Sequence, residues 1–228
     1  MPERNPLVYA SMSFEVHSVW DPMGERDTPS EWETPIEIVG EATDHSHDDG
    51  PAARIHALLF TDWQGGLDPE AGSGSYLPSW VESLLDPNVG GLARDVPPPL
   101  NQDRDALEAG DLLTIQRMEV LPAYRGEGLG RVLMEELIFT FGRGASLIAL
   151  KAHPLQYETV AGHVMWSPWG PDWYEKMALT PGNTADFVAE RKQLMGYYGR
   201  TGFTALDRND GLMVMPGRTS TMRPRKTR

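Results

Sequence analysis

Alternation of apolar and polar positions marks the first part of the chain as a succession of strands. Phe14–Trp20 and Ile36–Gly40 read as short strands, separated by DPMGERDTPSEWETP, which is rich in turn formers and has no helical face. Arg54–Trp63 (RIHALLFTDW) is a third strand. After a glycine-rich loop, Leu77, Trp80, Val81, Leu84 and Leu85 fall on one side of a helix over Leu77–Leu85, and DVPPPLNQDRD reads as a linker. Leu112–Val120 (LLTIQRMEV) is a strand stopped by Pro122. Behind it, Leu129, Val132, Leu133, Leu137 and Phe141 make the apolar stripe of a helix that Gly142 and Gly144 end. Ser146–Leu150 is nearly all apolar, as in a central strand covered on both faces. Strand, helix and strand at this spacing form a βαβ unit, whose strands should be parallel neighbours with a right-handed crossover.

Residues 154–184 show no period, yet they gather Trp166, Trp169, Trp173, Tyr157 and Tyr174. An irregular stretch of that length is uncommon without a function. Ala185–Tyr198 is helical again: Phe187, Leu194 and Tyr198 share a stripe, with Tyr197 to one side of it. Gly199 and Gly202 stop this helix, and Phe203–Leu206 and Leu212–Met215, joined by DRNDG, form a closing hairpin.

The chain has 228 residues, enough to bury a core unaided, and no cysteine, which excludes disulfides, thiolate metal sites and a cysteine nucleophile. The start lacks a basic segment followed by an apolar one, and no run approaches ~18 apolar residues, so a cytoplasmic protein with no membrane partner is expected. The net charge is −13, although Arg218–Arg228 hold five basic residues and no acidic one. That basic tail is expected to be disordered, with residues 1–217 forming a single domain. An acidic body repels nucleic acid and favours cationic small molecules or basic proteins.

The segment that carries chemistry is MEVLPAYRGEGLG, Met118–Gly130, between strand and helix. Glycines at 126, 128 and 130 let backbone N–H groups turn inward at a helix N-terminus, where free donors and the helix dipole favour an anion such as a pyrophosphate. A Walker loop would close on G-K-[ST], whereas Arg131 and Val132 follow Gly130. A dinucleotide fingerprint would need G-x-G-x-x-G, and the spacing here is G-x-G-x-G. A glycine-rich turn without a ligand is the plain alternative.

Arg125, Gly128 and Gly130 spell R-x-x-G-x-G, preceded by V-x-P at Val120 and Pro122; Tyr198, Gly202 and Phe203 spell Y-x-x-x-G-F at the end of the last helix. In these two motifs the sequence resembles the GNAT superfamily of acyl-CoA-dependent N-acetyltransferases, well over residues 112–153 and 185–215, with 154–184 as an insertion. The resemblance implies an α/β (α+β) fold with a mixed, mostly antiparallel sheet of six or seven strands, whose parallel fourth and fifth strands splay apart. It implies acetyl-CoA as cosubstrate, no metal, and a primary amine as acceptor. Pantetheine would bond to main-chain groups of Met118 and Val120. The pyrophosphate would rest on N–H groups of Gly126, Gly128, Leu129 and Gly130, with charge from Arg125. The Met118 N–H, at the family's bulge position, would donate to the oxyanion.

Tyr198 would protonate the leaving thiolate, a mildly uphill transfer between an ordinary Tyr (~10) and an ordinary thiol (~8.5); an ordinary packed aromatic is the bland reading. Tyr197 is the weaker candidate. The general-base glutamate of some family members falls at Thr114, which cannot serve, and Arg191 stands where many carry Asn. The base must then be water or another group, and His153, just past the fifth strand, is one choice. DHSHDD (Asp44–Asp49) has the composition of a metal loop without fixed geometry, and His17 and His56 read as structural strand residues. The insertion's aromatics suit an acceptor pocket or a homodimer contact; pocket lining is favoured because the insertion leaves the sheet where the acceptor should enter. The acceptor would be a cationic small molecule or a protein amino group, and the alternative function is a non-catalytic acyl-CoA-binding sensor of the same fold.

Overall fold

The computed structural model describes residues 10–18, 36–45, 50–61, 79–82, 84–86, 91–92, 111–157, 159–160, 163–164, 169–208 and 210–217. The linker at 95–105, residues 46–49 of the acidic run, Trp166 and the basic tail lie outside them.

Seven strands form one mixed sheet: β1 (Ala10–Ser18), β2 (Ile36–Asp44), β3 (Pro51–Phe60), β4 (Asp111–Val120), β5 (Ala145–Lys151), β6 (Thr204–Ala205) and β7 (Leu212–Pro216). Their order is β1-β2-β3-β4-β5-β7-β6, and every pair is antiparallel except β4 with β5. Three helices complete the described core: α1 (Leu129–Phe141), α2 (Pro171–Met177) and α3 (Phe187–Arg200). None is long and apolar enough to cross a membrane.

Strand alternation sends two sets of side chains to opposite faces. Ile38, Ile55, Leu113, Ile148 and Met213 meet α1, which buries Leu129, Leu133, Met134, Leu137 and Ile138. Phe60, Leu112, Leu147, Leu212 and Val214 form a second core with Val81 and Leu84. β5 lies between the two cores and is buried along all but its last residue, which is why its sequence shows no alternation.

Two expectations need correction. The helix over Leu77–Leu85 is a single turn, Ser79–Glu82, because the Leu84 N–H closes back on the Val81 carbonyl and Leu85–Asp86 then pairs with Gly91–Leu92. Val81, Leu84 and the ring of Trp80 reach the second core from that one turn, so the apolar pattern reported burial and overstated length. The stretch 154–184 is not irregular throughout: it holds α2, a short turn at Leu155–Tyr157 and a small hairpin of Thr159–Val160 with His163–Val164.

Gly40 on β2 sits opposite Phe14 of β1, whose ring covers it and meets Phe141 edge-on at 5.5 Å. A Cβ at Gly40 would lie 2.6 Å from that ring and 2.7 Å from Ile55 Cγ2, and Ile55 is fully buried. Gly40→Ala should therefore lower the unfolding free energy by about 1–3 kcal/mol in urea titration. No loss would mean that Phe14 swings clear.

Candidate functional site

The site begins where two strands stop pairing. The parallel register of β4 with β5 ends at Ile115 and Leu150, so Gln116–Val120 continue without a β5 partner. On β4 the cause is a bulge: Gln116 and Arg117 together face His56 of β3, which adds a residue and turns the strand. On the other side, the Ala152 N–H bonds to Gly211 and Pro154 cannot donate, which draws the chain after β5 toward β7.

A cleft of about 920 Å³ occupies the gap. Met118, Val120 and, from the loop, Arg125, Gly126, Gly128, Leu129 and Gly130 line one side, Leu150, Lys151 and His153 another, and Leu194, Tyr197 and Tyr198 of α3 a third. All eight site residues expected from sequence (Met118, Val120, Arg125, Gly126, Gly128, Leu129, Gly130 and Tyr198) lie on this lining.

The glycines play different parts. Gly126 and Gly128 have φ of +83° and +86°, and Gly128 is the N-cap of α1 with no side-chain cap over the first turn. Donors there are left to a ligand or solvent, and the first turn carries no acidic residue. Gly130 is needed for contact: a Cβ there would lie 2.9 Å from Val120 Cγ2 and 3.4 Å from Met118 Cε. The side chains of Met118 and Val120 thus form the seat of α1, whereas the sequence had offered only their main-chain groups, as partners for pantetheine and the oxyanion. The bulge lies at Gln116, two residues before Met118, which pairs with Ile55.

Arg125 binds protein groups. Its Nε donates to the Val120 carbonyl at 2.9 Å and its Nη2 to the Met177 carbonyl at 3.0 Å. Burial pulls its pKa down, and the negative charge of Glu119 opposes that shift. Arg117, Arg131, Lys151 and Arg200 also line the cleft, and Glu190 is the single carboxylate among its described lining residues. A cleft so lined in a chain of net charge −13 concentrates anions locally. Sequence reading missed this because the cations come from β4, α1, β5 and α3 one at a time.

Tyr198 is buried, at 9% exposure, beside Phe203. Burial pushes its hydroxyl far above the usual tyrosine range, with a smaller push from Tyr197. The Tyr197 pKa is also raised by burial, with smaller contributions of both signs from neighbouring charges, and the two rings stand 5.3 Å apart. The thiolate transfer expected to be mildly uphill is consequently steeper.

Thr114 is fully buried; its hydroxyl donates to the Leu58 carbonyl and receives the Gln116 amide, so it has no proton-accepting role. The Arg191 guanidinium lies over Phe187 at 5.0 Å. His153 is half-buried on the lining, its ring 5.3 Å from Phe187. His56 Nε2 lies 2.8 Å from Glu37, with its pKa lowered chiefly by burial, and His17 lies 3.5 Å from Glu15. Among the described residues no group of three His, Cys, Asp or Glu side chains could hold a metal ion.

Residues 89–161 match the family model for the Acetyltransferase (GNAT) family. The fold is GNAT-like. The match runs through β4, the glycine loop, α1 and β5, which form two sides of the cleft, and does not reach α3 on the third; acyl transfer is the general chemistry it supports. Among solved structures, the chain is similar to that of a KacTA–DNA complex, at 9% identity over 90% of this chain and 94% of that one, TM-score 0.38. It is also similar to the ribosomal-protein-S18-alanine N-acetyltransferase from Escherichia coli, at 13% identity over 95% of this chain and 99% of that one, TM-score 0.34. No curated protein matched the sequence.

Gly128→Ala tests the loop. A Cβ there meets nothing within 4 Å, so the folded chain has room for it, at a cost of about 1–2 kcal/mol for the left-handed backbone. The methyl group adds bulk to a residue of the cleft lining, and calorimetry should show acetyl-CoA binding weakened at least tenfold, about 1.4 kcal/mol. Equal affinity would remove the loop from the binding site.

Proposed function

We propose that this protein transfers an acetyl group from acetyl-CoA to a primary amine by direct attack. The observation that carries the reading is the basic cleft at the β4–β5 divergence, closed on one side by the uncapped N-terminus of α1. Acetyl-CoA brings a polyanionic end for the loop and its neighbouring cations, and an extended amide-bearing arm for the end of β4 beyond its register with β5. The residues present suit both ends.

The amine nitrogen attacks the thioester carbon, the C–S bond breaks, and the sulfur leaves as a thiolate that takes up a proton while the nitrogen loses one. Positioning the two reactants supplies much of the rate. His153 and Glu190 line the cleft and are our candidates for the group that takes the amine proton. Tyr198, held far above its ordinary pKa, serves the thiolate as a hydrogen-bond donor and passes its proton only at a cost.

Two observations favour a second reading, a non-catalytic acyl-CoA-binding sensor: the hydroxyl of Thr114 is fully engaged, and Tyr198 is a weak acid. Thiol release with a panel of primary amines, cationic small molecules and lysine peptides included, separates the two. Turnover of any amine supports the transferase. Saturable acetyl-CoA binding with no turnover across the panel establishes the sensor.

Tyr198→Phe keeps the ring in its core position and should lower kcat about tenfold, the low end for proton-transfer assistance. Because the folded pKa is raised, Tyr198 stays protonated through about pH 6–10, so the pH profiles of wild type and variant should run parallel. An alkaline limb that vanished in the variant would show that Tyr198 titrates in that range, and equal kcat values would clear it of any role.

A further inference from the structure

The insertion was expected to serve the acceptor, yet α2 is tied to the cofactor half of the cleft. Trp173 is buried, and its Nε1 donates to Glu119 Oε2; the other oxygen of Glu119 accepts the Arg117 Nε. Glu119 itself is 1% exposed on the bulged end of β4. The Trp173 ring lies 4.5 Å from the Arg54 guanidinium, which is paired with Glu41 at 2.7 Å. At the end of α2, the Met177 carbonyl receives Arg125 Nη2, while Arg125 Nε holds Val120. A cation at a helix C-terminus is favourably placed, so this contact suits the helix as well as the loop. Met177 and Leu179 then stand on the cleft lining with Met118 and Val120, from the end of β4 beyond its register with β5.

We infer that α2 is the outer wall of the channel for the pantetheine arm, with Glu119 and Arg125 as positioning residues that fasten it to β4. This rests on the acyl-CoA reading above. The wall faces the stretch Gln116–Val120, whereas the nucleotide end meets the loop and α1. Loosening α2 should therefore weaken ligands that carry the arm and spare those that do not. Glu119→Gln keeps an acceptor oxygen and removes the charge between Arg117 and Trp173; Trp173→Phe keeps a ring against Arg54 and removes the N–H.

Calorimetry on the folded variants with acetyl-CoA and with adenosine 3′,5′-bisphosphate, which lacks the arm, reads the difference. Acetyl-CoA affinity should fall at least tenfold in either variant, with the bisphosphate within about twofold of wild type. Unchanged acetyl-CoA affinity in both variants overturns the inference, and so does an equal loss for both ligands, which is what general loosening of the fold would give. A wild type that binds neither ligand instead overturns the acyl-CoA reading, and this inference with it.

Discussion

The structure depends on a break in pairing inside its own sheet. Parallel neighbours ordinarily continue until both strands end, since a buried N–H or C=O without a partner costs about as much as a lost hydrogen bond. Here β4 runs on for five residues after β5 has left it. The Gln116 bulge turns one strand, and the pull of β7 on the chain after Leu150 turns the other. Part of the backbone there is satisfied internally: the Val120 carbonyl accepts from Arg125 Nε, and on the β3 side the Leu121 N–H donates to the Ala52 carbonyl. What remains is a groove bounded by the end of β4 and by a helix N-terminus, the combination on which the acyl-CoA proposal rests.

Charge follows the same division. The chain is acidic overall, and Arg117, Arg125, Arg131, Lys151 and Arg200 line the cleft where the strands part. On the face of β4 away from α1, Arg117 with Glu119 and Arg54 with Glu41 make two ion pairs around Trp173. Removing Glu119 and Arg117 from water is costly, and their attraction offsets this only with good geometry and further hydrogen bonds, here the indole N–H. An apolar cluster of the same volume would hold α2 as firmly. It would not support the charge of Arg125, which Glu119 does.

What the sequence made legible follows from how local each signal is. β3, β4 and β5 could be read because alternation, or its absence in a doubly covered strand, is written in consecutive residues. The loop could be read because three glycines, a flanking strand and a flanking helix lie within one short segment. α2 could not. It is seven residues long and buries only Trp173 and Met177, four apart, so its period has no room to show, and its docking is to residues more than fifty positions away. The basic lining was equally hidden, being assembled one cation at a time from separate elements. The environment of Tyr198 was partly visible, since its stripe with Phe187 and Leu194 pointed inward; how far burial would raise its pKa was not.

The contrast between Thr114 and Glu119 shows why a residue type on a strand does not determine its role. Both are buried on β4, and the bulge between them changes which way later residues face: Leu113 and Ile115 pack toward α1, and after the extra residue so do Met118 and Val120. Without the bulge, strict alternation would have turned Arg117 and Glu119 toward α1, beneath Gly130, and Met118 and Val120 away from it. A carboxylate cannot occupy the tight contact under Gly130, so the inserted residue is what lets β4 carry both the seat of α1 and the charged anchor of α2. The same inserted residue ends the pairing with β5. One local irregularity therefore opens the cleft, seats the helix that caps one side of it and presents the acid that fastens the other.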